Sequence, residues 1–108
     1  MRMQWIVVAA SLALSGAALA EDAPADIWKA KCKGCHGEDG AAKTRAGQKD
    51  NIADFTSAEW QKGHSDEKIR DAIAEGSKTN SKMKAFKDRL TPAEIDSLVK
   101  YIRGFAKK

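Results

Sequence analysis

Five consecutive residues, Cys32-Lys33-Gly34-Cys35-His36, carry the chemistry of this chain. They form the C-x-x-C-H pattern through which a c-type haem is attached. Two thiols three positions apart near a helix end can each add to one of the haem's two vinyl groups. The next residue, His36, is then held beneath the iron, where its imidazole coordinates. Cys32 and Cys35 are also the only cysteines in the chain. Two plainer uses of them compete. A Cys32–Cys35 disulfide of a thiol oxidoreductase would normally sit in a βαβ context, and no strand pattern is visible. A zinc site drawn from Cys32, Cys35, His36 and His64 needs adjacent Cys35 and His36 in one tetrahedron and lacks a second ligand pair. The pattern is read as one covalent haem.

A six-coordinate iron needs a second axial ligand. Met1 and Met3 fall in a segment with the order of a secretory signal. Arg2 gives it a positive charge, an uncharged apolar run follows from Trp5 to Leu14, and Ala18-Leu19-Ala20 is the small-residue cleavage pattern. Trp5 to Ala20 is also shorter than the roughly 20 residues of a spanning helix, against an uncleaved anchor. Cleavage after Ala20 is expected, with residues 1–20 as signal peptide and residues 21–108 as one exported, periplasmic domain. Met83 is then the one methionine left. It lies in a lysine-rich loop and not on an apolar helical stripe, where a methionine would be core filler. His64 is the alternative ligand, although its place before a helix cap suits a surface or backbone-bonded role.

The elements that position these residues read as helices. Pro24 suits a helix N1 position, and Ile27, Trp28 and Lys31 follow at helical spacing into Cys32. Gly34 to Gly47 reads as loop, and Asn51 to Gly63 as irregular. Ser65 caps a helix whose stripe is Ile69, Ala72 and Ile73, ended by Gly76. After a second loop, Ser77 to Arg89, Thr91-Pro92-Ala93-Glu94 is a capping box for Ile95, Leu98, Val99 and Ile102, with Gly104 as the stop. The expected fold is all-α, with three main helices and long loops wrapped around one haem. A domain this small buries only about 60–65% of its unfolded surface, so the cofactor is expected to complete its core.

These residues resemble those of the class I monohaem c-type cytochromes, small bacterial periplasmic electron carriers. The resemblance runs from Ala25 to Phe105. It rests on Trp28 four residues before Cys32, on Cys32 to Gly37, on the segment Asp54-Phe55-Thr56 with Ala58-Glu59-Trp60, and on the helix Thr91 to Arg103. It implies that the first and last helices cross, with Trp28 near Leu98 and Tyr101, and that Trp60 reaches a haem propionate. Two positions depart from the family pattern. Lys84 stands where a proline often follows the methionine, and no proline lies between His36 and Trp60 to supply the carbonyl for the haem histidine.

Imidazole on one side and thioether on the other leave the iron no open position, which suits a one-electron carrier and not an enzyme. Other readings are a five-coordinate haem sensor or small peroxidase, or a cytochrome subunit of a larger dehydrogenase. The formal charge of +4 falls to +3 once Arg2 is removed, too little for nucleic acid with acids interspersed throughout. Lys29, Lys31 and Lys33 flank the first cysteine, and Lys82, Lys84 and Lys87 flank Met83. They are expected to form a rim that steers a monomeric carrier to redox partners with acidic docking surfaces.

Overall fold

The computed structural model describes residues 21–107, so the signal assigned to residues 1–20 lies outside the described residues. Those described are all-α, with no strand among them. The first helical run is α1 (Pro24–Ile27), a π-helical turn (Trp28–Cys32) and α2 (Lys33–His36). Two short helices follow, α3 (Arg45–Lys49) and α4 (Ala58–Gly63). Then come α5 (Asp66–Glu75) and α6 (Pro92–Arg103). The last helix is the hub and packs on both α1 and α5, while α3 packs on α2.

Ile27 and Leu98 are the most deeply buried side chains, at the crossing of the first and last helices. Trp28 is buried in the same cluster, with its ring 5.6 Å from that of Tyr101. The crossing implied by the resemblance is present. Ile69 and Ile73 of α5, with Leu90, Ile95, Val99 and Ile102, complete the core.

Three caps are where the residue types put them. Ser65 accepts from the Lys68 amide, Gly76 ends α5 at φ 88°, and Thr91 with Glu94 makes a reciprocal capping box. Two loop assignments need correction. Gly34 does not break the first run, which continues to His36 and stops at Gly37. The loop read from Gly34 to Gly47 also contains α3, capped by Thr44, and the irregular stretch before Gly63 contains α4, capped by Ser57. Helices of five and six residues are too short to write a hydrophobic period, so only their caps could have announced them. Gly104 ends α6 in helical geometry, at φ −67°.

The capping box also fastens the segment that leads into α1. The Asp22 amide donates to Glu94 Oε2 at 3.0 Å, and the Thr91 hydroxyl donates to Glu21 Oε2 at 2.6 Å. The backbone amide of Thr91, then that of Asp22, holds the Glu94 carboxyl below its ordinary value of 4.5. A carboxylate with a lowered folded-state pKa contributes stability that is complete above its unfolded value and lost as pH falls through the folded one. Glu94→Gln is therefore expected to lower the melting temperature at neutral pH and leave it near wild type in acid. Thermal melts of the two proteins across that range check this; curves that stay parallel throughout would rule it out.

Candidate functional site

His36 closes the first helical run, and its ring is set by aromatic neighbours. It stacks on Phe55 at 4.8 Å and lies 5.6 Å from the Trp28 ring. Trp28 is fixed in turn by donating Nε1–H to the Gly37 carbonyl at 2.9 Å. The backbone around the two cysteines is held as tightly. Thr44 caps α3 and donates its hydroxyl to the Cys35 carbonyl at 2.8 Å. Gly47 lets α3 approach this far, because a Cβ there would sit 2.2 Å from the Ala42 carbonyl oxygen and 2.8 Å from that of Cys35.

Cys32 and Cys35 are free thiols, the first half-buried and the second exposed. Burial, offset in part by Lys31, pushes the Cys32 thiol up to about 11. Such a group holds little thiolate at neutral pH, which counts against a nucleophilic disulfide exchanger. No group of three or more His, Cys, Asp or Glu side chains among the described residues could hold a metal ion, which counts against the zinc reading. Burial also lowers the His36 pKa, favouring a neutral imidazole with a free lone pair. The Nδ1 of that ring is buried without a hydrogen-bond partner, an unmet demand that costs about 1–3 kcal/mol.

Met83 reaches the same place from the other half of the molecule. Its amide donates to the Asn80 carbonyl and its carbonyl accepts from the Ser77 amide, both at 3.1 Å. Gly76 makes that turn possible: φ is +88°, and a Cβ would meet the Met83 carbonyl oxygen at 2.8 Å. Further along, the Phe86 amide donates to Ile73 and the Lys87 amide to Ala74, tying the loop to the end of α5. Cys32, Cys35, His36 and Met83 all line one cavity of about 550 Å³, with Ile69, Ile73 and Phe86 among its apolar walls. That volume lies in the range of cofactor sites. Two thiols, an imidazole and a thioether around an apolar cavity are the donor set of a c-type haem.

The comparisons agree with this geometry. The family model described as cytochrome c oxidase, cbb3-type, subunit III matches residues 19–102. The chain is 40% identical to the solved KustC0563 c-type cytochrome, with a TM-score of 0.70 over 78% of this chain and 98% of that one. The chain belongs to the c-type cytochromes. A tyrosine-to-phenylalanine mutant of the same relative matches the cytochrome at 39% identity and a TM-score of 0.69, over 78% of this chain and 99% of that one. No curated protein matches the cytochrome at a significant level. Members of this family transfer electrons through haem, and the cytochrome is an electron-transfer protein and not an enzyme. No helix among its described residues is long and apolar enough to cross a membrane.

Other residues singled out in the sequence take varied places. Trp60 lines the cavity, 4.4 Å from the Phe55 ring, and stacks on His64 at 4.5 Å. His64 lines the cavity too, with Nδ1 2.9 Å from the Trp60 carbonyl. A carbonyl only accepts, so Nδ1 carries the proton and His64 has the backbone bond expected of it. The lysine rim needs correction. Lys31, Lys82 and Lys84 border the cavity, joined by Lys68, which the sequence reading passed over. Lys29 and Lys33 instead border a separate groove beside Tyr101, and Lys87 is paired with Glu75 at 3.0 Å. No carbonyl accepts from His36 Nδ1, so a substitute for the missing proline carbonyl is not found.

Three residues at or behind the cavity wall have contacts that the sequence pattern does not assign. Phe55 stands in the Asp54-Phe55-Thr56 segment of the resemblance, at no clean apolar period, and nothing there marks it as the ring on which His36 rests. Thr44 and Asp50 looked like ordinary loop residues. A Thr three residues before Gly47 is a cap signal in hindsight; nothing local marks Asp50.

Proposed function

We propose that the cytochrome is an exported, soluble carrier with a single haem, attached through Cys32 and Cys35 and ligated by His36 and Met83. One observation carries the reading: two thiols and an imidazole from one helix end share an apolar cavity with a thioether from a loop forty-odd positions away. When bound, the haem supplies an iron that cycles between Fe(III) and Fe(II). His36 offers it a neutral nitrogen, kept neutral by burial. Met83 offers a soft sulfur, which favours Fe(II) and raises the potential. The apolar walls from Ile69, Ile73 and Phe86 lower the polarity around the iron, which raises it further. Trp60 stands as the propionate contact, supported by its place on the cavity wall. Residues 1–20 act as a signal peptide cut after Ala20, which makes the working compartment the periplasm. Lys31, Lys68 and Lys84, at the cavity border, face acidic redox partners of a monomeric carrier.

Intact mass of the exported protein tests this reading. The expected value is the chain from Glu21 to Lys108 plus one haem, with no thiol left for an alkylating agent. A bare chain with two alkylatable thiols would refute it. The description of the matched family as an oxidase subunit favours a second reading, in which this domain works docked in a larger complex. Co-purification of a stoichiometric partner from the native membrane or soluble fraction would select it.

A further inference from the structure

The loop that carries Met83 is bound to α5 by backbone hydrogen bonds, but its link to the His36 side of the cavity is a single side-chain clasp. Lys82 Nζ lies 3.0 Å from Asp50 Oδ1 and 3.3 Å from Oδ2. Among the described residues this is the only hydrogen bond or ion pair between the Ser77 to Arg89 loop and the segment from Cys32 to His64. We propose that Asp50 is a positioning residue for Met83: by clasping Lys82 it holds the thioether over the cavity and shuts the loop against competing ligands.

Both ends of the clasp are firmly mounted. The Asp50 amide donates to the Ala46 carbonyl, which ends α3, and α3 rests on the Cys35 backbone through Thr44 and Gly47. The Lys82 amide donates to Asn80 Oδ1 at 3.0 Å, and the Asn80 amide to Ser77 Oγ at 3.1 Å, so Lys82 projects from a braced turn. Met83 is its chain neighbour. A pull on Lys82 is therefore a pull on the Met83 backbone. The Asp50 side chain is only 15% exposed while that of Lys82 is 62% exposed. A carboxylate so enclosed loses much of its water on one side, and the two-oxygen contact with an ammonium offsets that loss. The arrangement also keeps the Lys82 ammonium engaged by Asp50, which lines the cavity beside it.

The role rests on Met83 being the second iron ligand, and the experiment separates the two claims. The ferric protein's weak far-red band reports iron–thioether ligation, and added imidazole displaces the thioether at a rate set by opening of the loop. Asp50→Asn and Lys82→Gln are each expected to speed that displacement about fivefold, or about 1 kcal/mol at 1.4 kcal/mol per tenfold. The double variant should be no faster than either single one, since both remove the same bond. Salt should speed the wild type towards the variants and leave them unchanged, and the exchanged pair Asp50→Lys with Lys82→Asp should restore slow displacement. A far-red band in the wild type with equal rates in all of these proteins, or additive effects of the two single changes, overturns the clasp. A wild type with no such band overturns the ligand assignment itself, and the clasp's role with it.

Discussion

Cys32→Ala and Cys35→Ala proteins will accumulate as haem protein at no more than about a tenth of the wild-type level, and the haem-free chain will be largely unfolded. The cavity decides the size of the effect. Without the haem, a cavity of about 550 Å³ walled by Ile69, Ile73 and Phe86 opens to water, and those side chains lose the contacts the cofactor would give them. Net stabilities of whole domains are about 5–15 kcal/mol. A domain this small has little stability to spare when those contacts are lost. Each cysteine contributes because a covalent link makes haem loss intramolecular and reversible, and a single remaining thioether leaves one edge of the ring free to lift. Lys33→Ala, between the two thiols, should behave as wild type. The checks are haem absorbance per mole of exported chain, far-ultraviolet circular dichroism and limited proteolysis. A haem-free chain that keeps its helical signal and resists protease would show that the helices, and not the cofactor, complete the core.

What the sequence disclosed divides by range. The attachment motif is five residues long and its logic is local, so it was legible at once, as were the Ser65 and Thr91 caps, where a side chain bonds a backbone amide three residues on. Met83 was singled out by elimination, because the expected signal cleavage would leave no other methionine, and it lines the cavity. The contacts that were missed are the ones made across the chain. Phe55 meets His36 from nineteen positions away, and Asp50 meets Lys82 across thirty-two. Neither pairing leaves a period or a composition signal, since each needs α3 and α5 already folded. The lysines failed for a related reason. Lys29 and Lys33 stand four apart and share one face of the helical run, beside Tyr101, while Lys31 between them takes another and borders the cavity. Proximity in sequence to Cys32 said nothing about which face each would take.

Met83→Ala will remove the far-red band, open the iron to small ligands and lower the reduction potential. Thioether sulfur is a soft donor that holds Fe(II) better than Fe(III), so taking it away costs the reduced state more. The expected fall is on the order of 100–200 mV, a factor of roughly 10²–10³ in the Fe(II)/Fe(III) ratio at 59 mV per tenfold. The fold should survive, because Met83 is half-buried while the apolar walls from Ile69, Ile73 and Phe86 stay in place. Carbon monoxide should then bind the ferrous variant within the mixing time, whereas the wild type should bind it slowly or not at all. Two other outcomes carry distinct meanings. If the wild type already binds carbon monoxide quickly and Met83→Ala changes neither spectrum nor potential, the iron is five-coordinate, and the sensor or peroxidase reading replaces the carrier. If instead His64→Ala is the substitution that alters the spectrum, the second ligand is the imidazole on the same cavity wall. That outcome would require His64 to leave its stack on Trp60, 4.5 Å away, while its Nδ1–H stays on the Trp60 carbonyl. A ring held at both its face and one nitrogen is poorly placed to swing, whereas Met83 is fixed through its backbone, by Asn80 and Ser77, and its thioether is held by no hydrogen bond.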